Sequence, residues 1–141
     1  MRVLIVDDDF YCRSALQEIL HAYAYCDIAV NGEEAIYAFR KALAEKKPYD
    51  LICMDIVMPD IDGHMALREI RSIEKEMGVA PEAEAKVIMT SVLDDSEETH
   101  NAFYLGGADA YLVKPIDEDA LLQELGRLGL IRKEDLEKRL A

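Results

Sequence analysis

The sequence lacks a long apolar run and a paired set of cysteines. Its first apolar run, residues 3–6, is followed at once by three aspartates, so it is too short for a signal peptide or a membrane span. Its three cysteines, Cys12, Cys26 and Cys53, are odd in number and form no CxxC pair. We therefore expect free thiols in a reducing compartment, a cytoplasmic location and no membrane partner.

Basic residues are also scarce. The 141 residues include 29 acidic and 16 basic ones, which gives a net charge of −13. Proteins that bind nucleic acids directly use clustered lysine and arginine to neutralise phosphates, so this balance argues against direct DNA binding. The length suits one domain, and the 13 residues after 128 are too few for a basic helical output domain.

Short apolar runs alternate with longer amphipathic ones along the whole chain. Strands are predicted over residues 3–6, 28–30, 50–54, 86–90 and 110–113. Helices are predicted over 10–23, from the cap Asn31 to just before Pro48, and over 65–77, 96–105, 117–128 and 132–140. Five strands spaced by helices predict an α/β domain with a parallel sheet covered by helices on both faces.

Polar side chains follow four of these strands at the point where each strand ends. They are Asp7, Asp8 and Asp9 after the first, Asp55 after the third, Thr90 and Ser91 after the fourth, and Lys114 after the fifth. A lone aspartate there would ordinarily be a turn or cap residue. Because the carboxyl ends of parallel strands meet at one edge of the sheet, we expect these groups to converge.

This set of residues predicts a divalent cation site that contains a nucleophile. Clustered carboxylates repel one another, and Mg²⁺ relieves that repulsion with one or two carboxylates plus waters and phosphate oxygens. A carboxylate can attack phosphorus to give an aspartyl-phosphate, while a lysine and a hydroxyl neutralise phosphoryl charge. The strand-end pattern alone leaves open which aspartate is attacked.

Four segments in order carry a resemblance to a known family. Residues 4–8 (LIVDD), 54–63 (MDIVMPDIDG), 89–91 (MTS) and 111–115 (YLVKP) resemble the receiver domain of two-component response regulators. The resemblance implies a doubly wound, flavodoxin-like sheet of strand order 2-1-3-4-5. It covers roughly residues 2–128, so we expect a receiver domain over 1–128 and a short C-terminal helical extension over 129–141.

The resemblance also implies a role for each matched residue. Asp55 would be the phosphoacceptor, Asp8 would bind Mg²⁺ directly, Asp7 would hold it through water, the backbone carbonyl of Val57 would be a further ligand, Lys114 would pair with the phosphoryl group, Thr90 would bind a phosphoryl oxygen, and Tyr111 would rotate inward as Thr90 moves. Asp9 has no implied role and is expected to be a solvent or turn residue.

The implied function is a phosphorelay switch that is not a classical enzyme. A sensor histidine kinase would donate the phosphoryl group, which would remodel a face for an unknown output protein before slow self-hydrolysis. One alternative is a phosphatase with an aspartyl-phosphate intermediate, which usually needs a second acid where Val57 stands. The other is a pseudo-receiver that binds partners without phosphorylation.

Two apolar residues border the expected phosphoryl group. Val57 and Val92 each stand two residues beyond a site residue, Asp55 and Thr90 respectively. Neither side chain offers an attacking water a polar partner, so we expect the phosphorylated state to be long-lived.

Overall fold

The computed structural model describes residues 1–92 and 107–140. Its centre is a five-stranded sheet in the order β2-β1-β3-β4-β5. The strands are β1 (Arg2–Val6), β2 (Tyr25–Ala29), β3 (Leu51–Asp55), β4 (Lys86–Ser91) and β5 (Ala110–Val113), and every pairing is parallel. The predicted fold class and strand order are confirmed.

Of the helices among the described residues, three connect strands and two follow β5. They are α1 (Phe10–Leu20), α2 (Gly32–Ala44), α3 (Gly63–Glu76), α4 (Glu118–Arg127) and α5 (Lys133–Leu140), and a short 3₁₀ turn (Pro81–Ala83) precedes β4. The helix predicted over 96–105 lies outside the described residues. Within the described residues, no helix is long and apolar enough to cross a bilayer.

Polar residues cap the amino ends of α1, α2, α3 and α4. The side chains of Asp9, Asn31, Asp62 and Asp117 each accept a hydrogen bond from a backbone N–H in the first turn of α1, α2, α3 and α4. These bonds satisfy N–H groups that have no partner inside the helix. The predicted cap at Asn31 is confirmed, whereas Asp9, expected to be a plain solvent or turn residue, caps α1.

Both faces of the sheet are buried. On one face α2 and α3 pack through Phe39, Leu67 and Ile70. On the other face α1 and α4 contribute Leu16, Leu20, Leu121, Leu122 and Leu125. Every residue of β3 is buried, as expected for a central parallel strand. The last residue of β3 therefore emerges from the middle of the core.

Four elements differ from prediction by two or more residues at one end, and one of them, α2, ends at Ala44 rather than just before Pro48. β2 begins at Tyr25 rather than residue 28, because its edge position leaves it half-exposed and removes the apolar run that marks a buried strand. α1 ends at Leu20 rather than 23, and the N–H groups of residues 23 and 24 both turn back to the Leu20 carbonyl. α3 begins at Gly63, two residues early, because Asp62 is its cap.

The C-terminal helix packs on the domain. Leu130, Ile131 and Leu136 lie against the core face that contains α1 and α4. A Cβ atom built at Gly126 would lie 3.2 Å from Leu136 Cδ2, so the missing side chain allows α5 to approach α4 closely.

An arginine clamp, formed by Arg71, Glu74 and Asp109, ties α3 to the amino ends of β4 and β5. Arg71 donates to Glu74 Oε1 at 2.8 Å, to the Ala85 carbonyl at 2.8 Å and to the Gly107 carbonyl at 2.9 Å. Glu74, which is 2% exposed, accepts from the Ala85 N–H at 2.8 Å. Most donors and acceptors of the clamp are therefore hydrogen-bonded to groups within the protein.

Candidate functional site

Three predicted carboxylates meet at the carboxyl end of the sheet. Asp7 and Asp8 follow β1, and Asp55 ends β3; one carboxylate oxygen from each lies within 4.8 Å of the others. Asp7 is fully buried, whereas Asp8 is exposed. Asp9 is engaged elsewhere: one of its oxygens caps α1 and the other accepts from the Cys12 thiol at 3.3 Å. The site thus contains two buried acids and one that faces solvent.

Lys114 reaches both buried acids. Its Nζ lies 2.8 Å from Asp7 Oδ2 and 3.2 Å from Asp55 Oδ2. The backbone N–H of Lys114 donates to the Ser91 carbonyl at 2.8 Å, and the bond to Pro115 is cis. The pairing of β5 with β4 therefore delivers this ammonium to the acids of β1 and β3.

Burial and charge shift the pKa values of this group of residues. Asp55 is 5% exposed; burial, followed by the charge of Asp7, raises its pKa to about 6 against the opposing effect of Lys114. Burial alone would lower the pKa of Lys114, but its hydrogen bond to Asp7 and the charges of Asp55 and Asp7 raise it overall. Asp55 is thus mainly ionised at neutral pH, yet with its negative charge incompletely compensated.

Of the remaining predicted site residues, Thr90 and Val57 lie next to Asp55, and Tyr111 lies on β5, beyond β4. Thr90 is its direct neighbour across the β3–β4 pair and is 1% exposed. The Val57 N–H donates to Asp55 Oδ1 at 3.3 Å, and the Val57 side chain is 57% exposed. Tyr111 pairs with Met89 and is half-buried against the core. The structure therefore brings Thr90 and Val57 to Asp55 and places Tyr111 on the neighbouring strand.

Gly63 was not singled out by the sequence analysis. A Cβ atom at this position would overlap the carbonyl oxygen of Asp55 and would lie 2.9 Å from the Cα of Ile56. The Gly63 N–H also donates to the Ile56 carbonyl at 2.8 Å. Because only glycine permits this approach, the start of α3 fixes the backbone at the acceptor. The only sequence signal was the glycine in the matched segment 54–63.

Arg13 also escaped notice in the sequence. Its guanidinium donates to the Asp7 carbonyl at 3.2 Å and lies over the Phe10 ring at 5.6 Å. The contact ties the first turns of α1 to the backbone that presents the acids. No local pattern marks it, since the residues are six apart in a strand-to-helix turn.

Comparison with known proteins agrees with this geometry. The family model for the response regulator receiver domain matches residues 3–126. The chain belongs to this family. It is 33% identical over 128 residues to the chemotaxis protein CheY of Bacillus subtilis, with 89% of this chain and 95% of that protein covered.

Solved receiver structures are similar as well. The receiver domain of the histidine kinase CKI1 from Arabidopsis thaliana, complexed with Mg²⁺, is 32% identical with a TM-score of 0.75, covering 88% of this chain and 90% of that one. The co-crystal structure of the Saccharomyces cerevisiae histidine phosphotransfer protein Ypd1 with the receiver domain of Ssk1 gives a TM-score of 0.77 at 26% identity, covering 92% and 88%. Family membership and the flavodoxin-like receiver fold are thereby confirmed.

Proposed function

We propose that Asp55 is the phosphoacceptor of a two-component phosphorelay and that its donor is a phosphohistidine on a sensor kinase or phosphotransfer protein. The observation that supports this most strongly is the placement of Asp55. It is a nearly buried carboxylate, ionised at neutral pH, that shares the Lys114 ammonium with Asp7 and lies beside Thr90. Such a carboxylate is a nucleophile with its charge-neutralising groups already in position.

The residues present fit a magnesium ion. Three carboxylates with oxygens within 4.8 Å of one another, one of them exposed, provide hard oxygen ligands at an accessible point. Burial and the charge of Asp7 raise the pKa of Asp55 despite the Lys114 ammonium, so a cation would favour the ionised form of Asp55. Asp8 and Asp55 would hold the ion directly, Asp7 through water and Val57 through its carbonyl. The ion would supply positive charge to the transferring phosphoryl group.

The transfer itself is a single displacement at phosphorus. A carboxylate oxygen of Asp55 forms the new P–O bond as the donor P–N bond breaks, and the departing imidazole takes up a proton from solvent. Lys114 remains near the acceptor and pairs with a phosphoryl oxygen in place of a carboxylate, while the Thr90 hydroxyl donates to another. No residue needs to act as a general base, because Asp55 is already ionised.

The consequence would be a switch in a partner-binding face. Movement of Thr90 toward the phosphoryl group would allow Tyr111, on the next strand, to turn inward. The face would comprise β5, α4 and the helix predicted over 96–105. We propose a protein partner for this face and no direct DNA contact, consistent with the net charge of −13.

The alternatives fit the site less well. A phosphatase of the aspartyl-phosphate type usually has a second acid two residues beyond its nucleophile, and here Val57 presents an exposed isopropyl group at that position. A pseudo-receiver would have no reason to retain the acids and lysine in contact. We therefore propose a regulatory role without turnover of a separate substrate.

We retain two further expectations as proposals. The division into a receiver over 1–128 and an extension over 129–141 is supported by the family match, which ends at 126. A cytoplasmic location is supported by three free cysteines.

The direct test is chemical phosphorylation. The protein is incubated with acetyl phosphate and Mg²⁺, and its intact mass is measured. We expect the addition of one phosphoryl group to wild type and none to Asp55→Asn. Asp60→Asn is the matched control, because Asp60 lies in the next loop with a φ of 66° that asparagine also tolerates. An unmodified wild-type protein, or a modified Asp55→Asn, would contradict the proposal.

A further inference from the structure

A second polar cleft lies at the opposite end of the sheet from Asp55. It has a volume of about 430 Å³. This cleft, here called the tyrosine cleft, is lined by residues that include the basic Arg2, Lys41 and Lys47, the aromatic Tyr25, Tyr37 and Tyr49, and the acidic Asp27 and Glu45. Arg2 begins β1, five residues before Asp7. At ~3.3 Å per strand residue, the cleft is therefore about 16 Å from the acid cluster formed by Asp7, Asp8 and Asp55. The proposed phosphorylation chemistry does not use it.

The floor of the cleft is formed by Arg2, whose guanidinium is not fully hydrogen-bonded. The Arg2 guanidinium lies 5.4 Å from the Tyr25 ring centre and 5.3 Å from that of Tyr49. Its charged partner, Asp27, is 3.6 Å away and already accepts a 2.6 Å hydrogen bond from the Tyr49 hydroxyl. The Arg2 Nε is buried without a hydrogen-bond partner among the described residues. Two aromatic faces thus hold a guanidinium in place that is only loosely paired.

One wall of the cleft is an open sheet edge. β2 is the outer strand, and the residues at its two ends, Tyr25 and Ala29, use their backbone groups to pair with β1. Because such groups alternate along a parallel strand, those of Cys26 and Ile28 point outward. Edge strands are usually protected by charges, prolines or bulges; β2 has one charge, Asp27, while Tyr25 is 62% and Ile28 38% exposed.

The opposite rim is basic in an otherwise acidic protein. Residues 40–47, at the end of α2 and in the following turn, contain four of the 16 basic residues and only one acid, Glu45. That acid is occupied by Lys41 at 3.9 Å. Lys41 and Lys47 line the cleft, and Tyr37 beside them is 70% exposed. Tyrosine and arginine are the residues most often found at the energetic centres of protein interfaces.

We propose that the tyrosine cleft binds an acidic, extended segment of a partner protein, which adds alongside β2. The outward backbone groups of β2 would pair with the segment, as in strand-addition complexes. Arg2, Lys41 and Lys47 would receive its carboxylates, and Tyr37 would cover its apolar side chains. Charge complementarity favours this occupant over a second copy, because the rim is locally basic while two copies of the chain, each with a net charge of −13, repel each other.

The test uses a fluorescein-labelled octapeptide of alternating glutamate and valine, with a lysine–valine peptide as its counterpart. Binding to the full chain is followed by fluorescence anisotropy and by amide NMR shifts. We expect the glutamate peptide alone to bind, to shift the Cys26 and Ile28 amides, and to bind more weakly as salt rises. Lys41→Glu/Lys47→Glu should weaken binding more than about tenfold.

The control variant is Lys75→Glu/Lys133→Glu, which has the same net charge but alters exposed lysines on α3 and α5. It should bind the peptide as wild type does. Tyr37→Ala provides a charge-neutral probe and should also weaken binding. All variants should still be phosphorylated by acetyl phosphate, because the acid cluster is untouched, so failure at one site is distinguishable from failure at the other.

Four results would overturn the proposal. The first is that the glutamate peptide does not bind, and the second is that both double variants weaken its binding equally. The third is that AMP binds more tightly than the peptide and shifts the same amides. The fourth is that light scattering detects self-association of the wild type that Lys41→Glu/Lys47→Glu abolishes. The third would indicate a small-molecule site and the fourth an interface between copies.

Discussion

Two charged clusters, at opposite ends of the same sheet, differ in how completely they are paired. In the arginine clamp, Glu74 and Asp109 each accept a 2.8 Å bond from a backbone N–H as well as contacting Arg71. In the acid cluster, Asp55 has one 3.3 Å backbone bond and shares Lys114 with Asp7. The clamp is complete without a ligand, whereas the acid cluster retains unbalanced charge. Hydrogen-bond satisfaction, rather than burial, therefore distinguishes the structural cluster from the functional one.

Breaking the clamp should have the largest effect on stability. Glu74→Ala removes a 2%-exposed carboxylate, leaves the buried Ala85 N–H without its acceptor and takes away the 2.8 Å carboxylate partner of Arg71. We expect a loss of about 3 kcal/mol in the free energy of unfolding, measured in urea. Glu76→Ala, whose side chain is 67% exposed beside Arg40, should lose less than about 0.5 kcal/mol. Similar losses in the two variants would mean that the clamp is not a structural element.

Binding of Mg²⁺ to the acid cluster should stabilise the folded protein. Magnesium at ten to thirty times its dissociation constant should add about 1.4–2 kcal/mol to the unfolding free energy of wild type. Thermal melts in EDTA and in MgCl₂ measure the gain. Asp8→Asn should lose most of it, while Asp60→Asn, outside the three-carboxylate group, should keep it. A gain that persists in Asp8→Asn would place the ion elsewhere.

Without a bound metal ion, the acid cluster should make the stability of the protein depend on pH. The pKa of Asp55 is raised to about 6, so the folded protein holds a proton that the unfolded chain has lost above about pH 4. The contribution of Asp55 to stability should therefore fall as pH rises from about 4 to 6 and remain lower above that. Asp55→Asn removes this cost and should be more stable at pH 8 by about 1 kcal/mol, after allowance for solvent screening.

Unfolding curves in EDTA at pH 4.5 and pH 8 test this difference. Glu76→Gln is the matched control and should show no gain at either pH, because its carboxylate is exposed. An Asp55→Asn protein that is less stable than wild type at pH 8 would show that Lys114 fully compensates Asp55.

The acid cluster was predictable from sequence because each of its members follows a strand directly. Asp7, Asp8, Asp55, Thr90 and Lys114 all stand at the carboxyl end of an apolar run, and parallel pairing alone brings such ends together. The same runs predicted the sheet. β2 was misplaced by three residues at its start because an edge strand has no buried apolar run to mark it.

The clamp was not predictable, and the reason is geometric. Arg71 contacts Gly107 and Asp109 from 36 and 38 residues away, and in the sequence Arg71 and Asp109 each resemble an ordinary surface charge. Gly63 was similarly hidden, since the need for glycine arises from the Asp55 backbone eight residues earlier. Contacts that depend on how a helix crosses a sheet have no local signature.

The smallest expected effect concerns how long the acid cluster stays phosphorylated. Val57 and Val92 are 57% and 69% exposed, so solvent reaches both residues, and neither side chain has a polar group to orient an attacking water. Val57→Asn adds one such group, and one hydrogen bond in the hydrolytic transition state should shorten the lifetime severalfold, equivalent to about 1 kcal/mol. Release of inorganic phosphate from the phosphorylated, donor-free protein measures it. Val30→Asn, at an exposed position beyond β2, should leave the lifetime unchanged. A wild-type lifetime of only seconds would show that apolar residues at this rim do not protect the phosphoryl group, and the unbalanced charge of the cluster would then have to account for its hydrolysis.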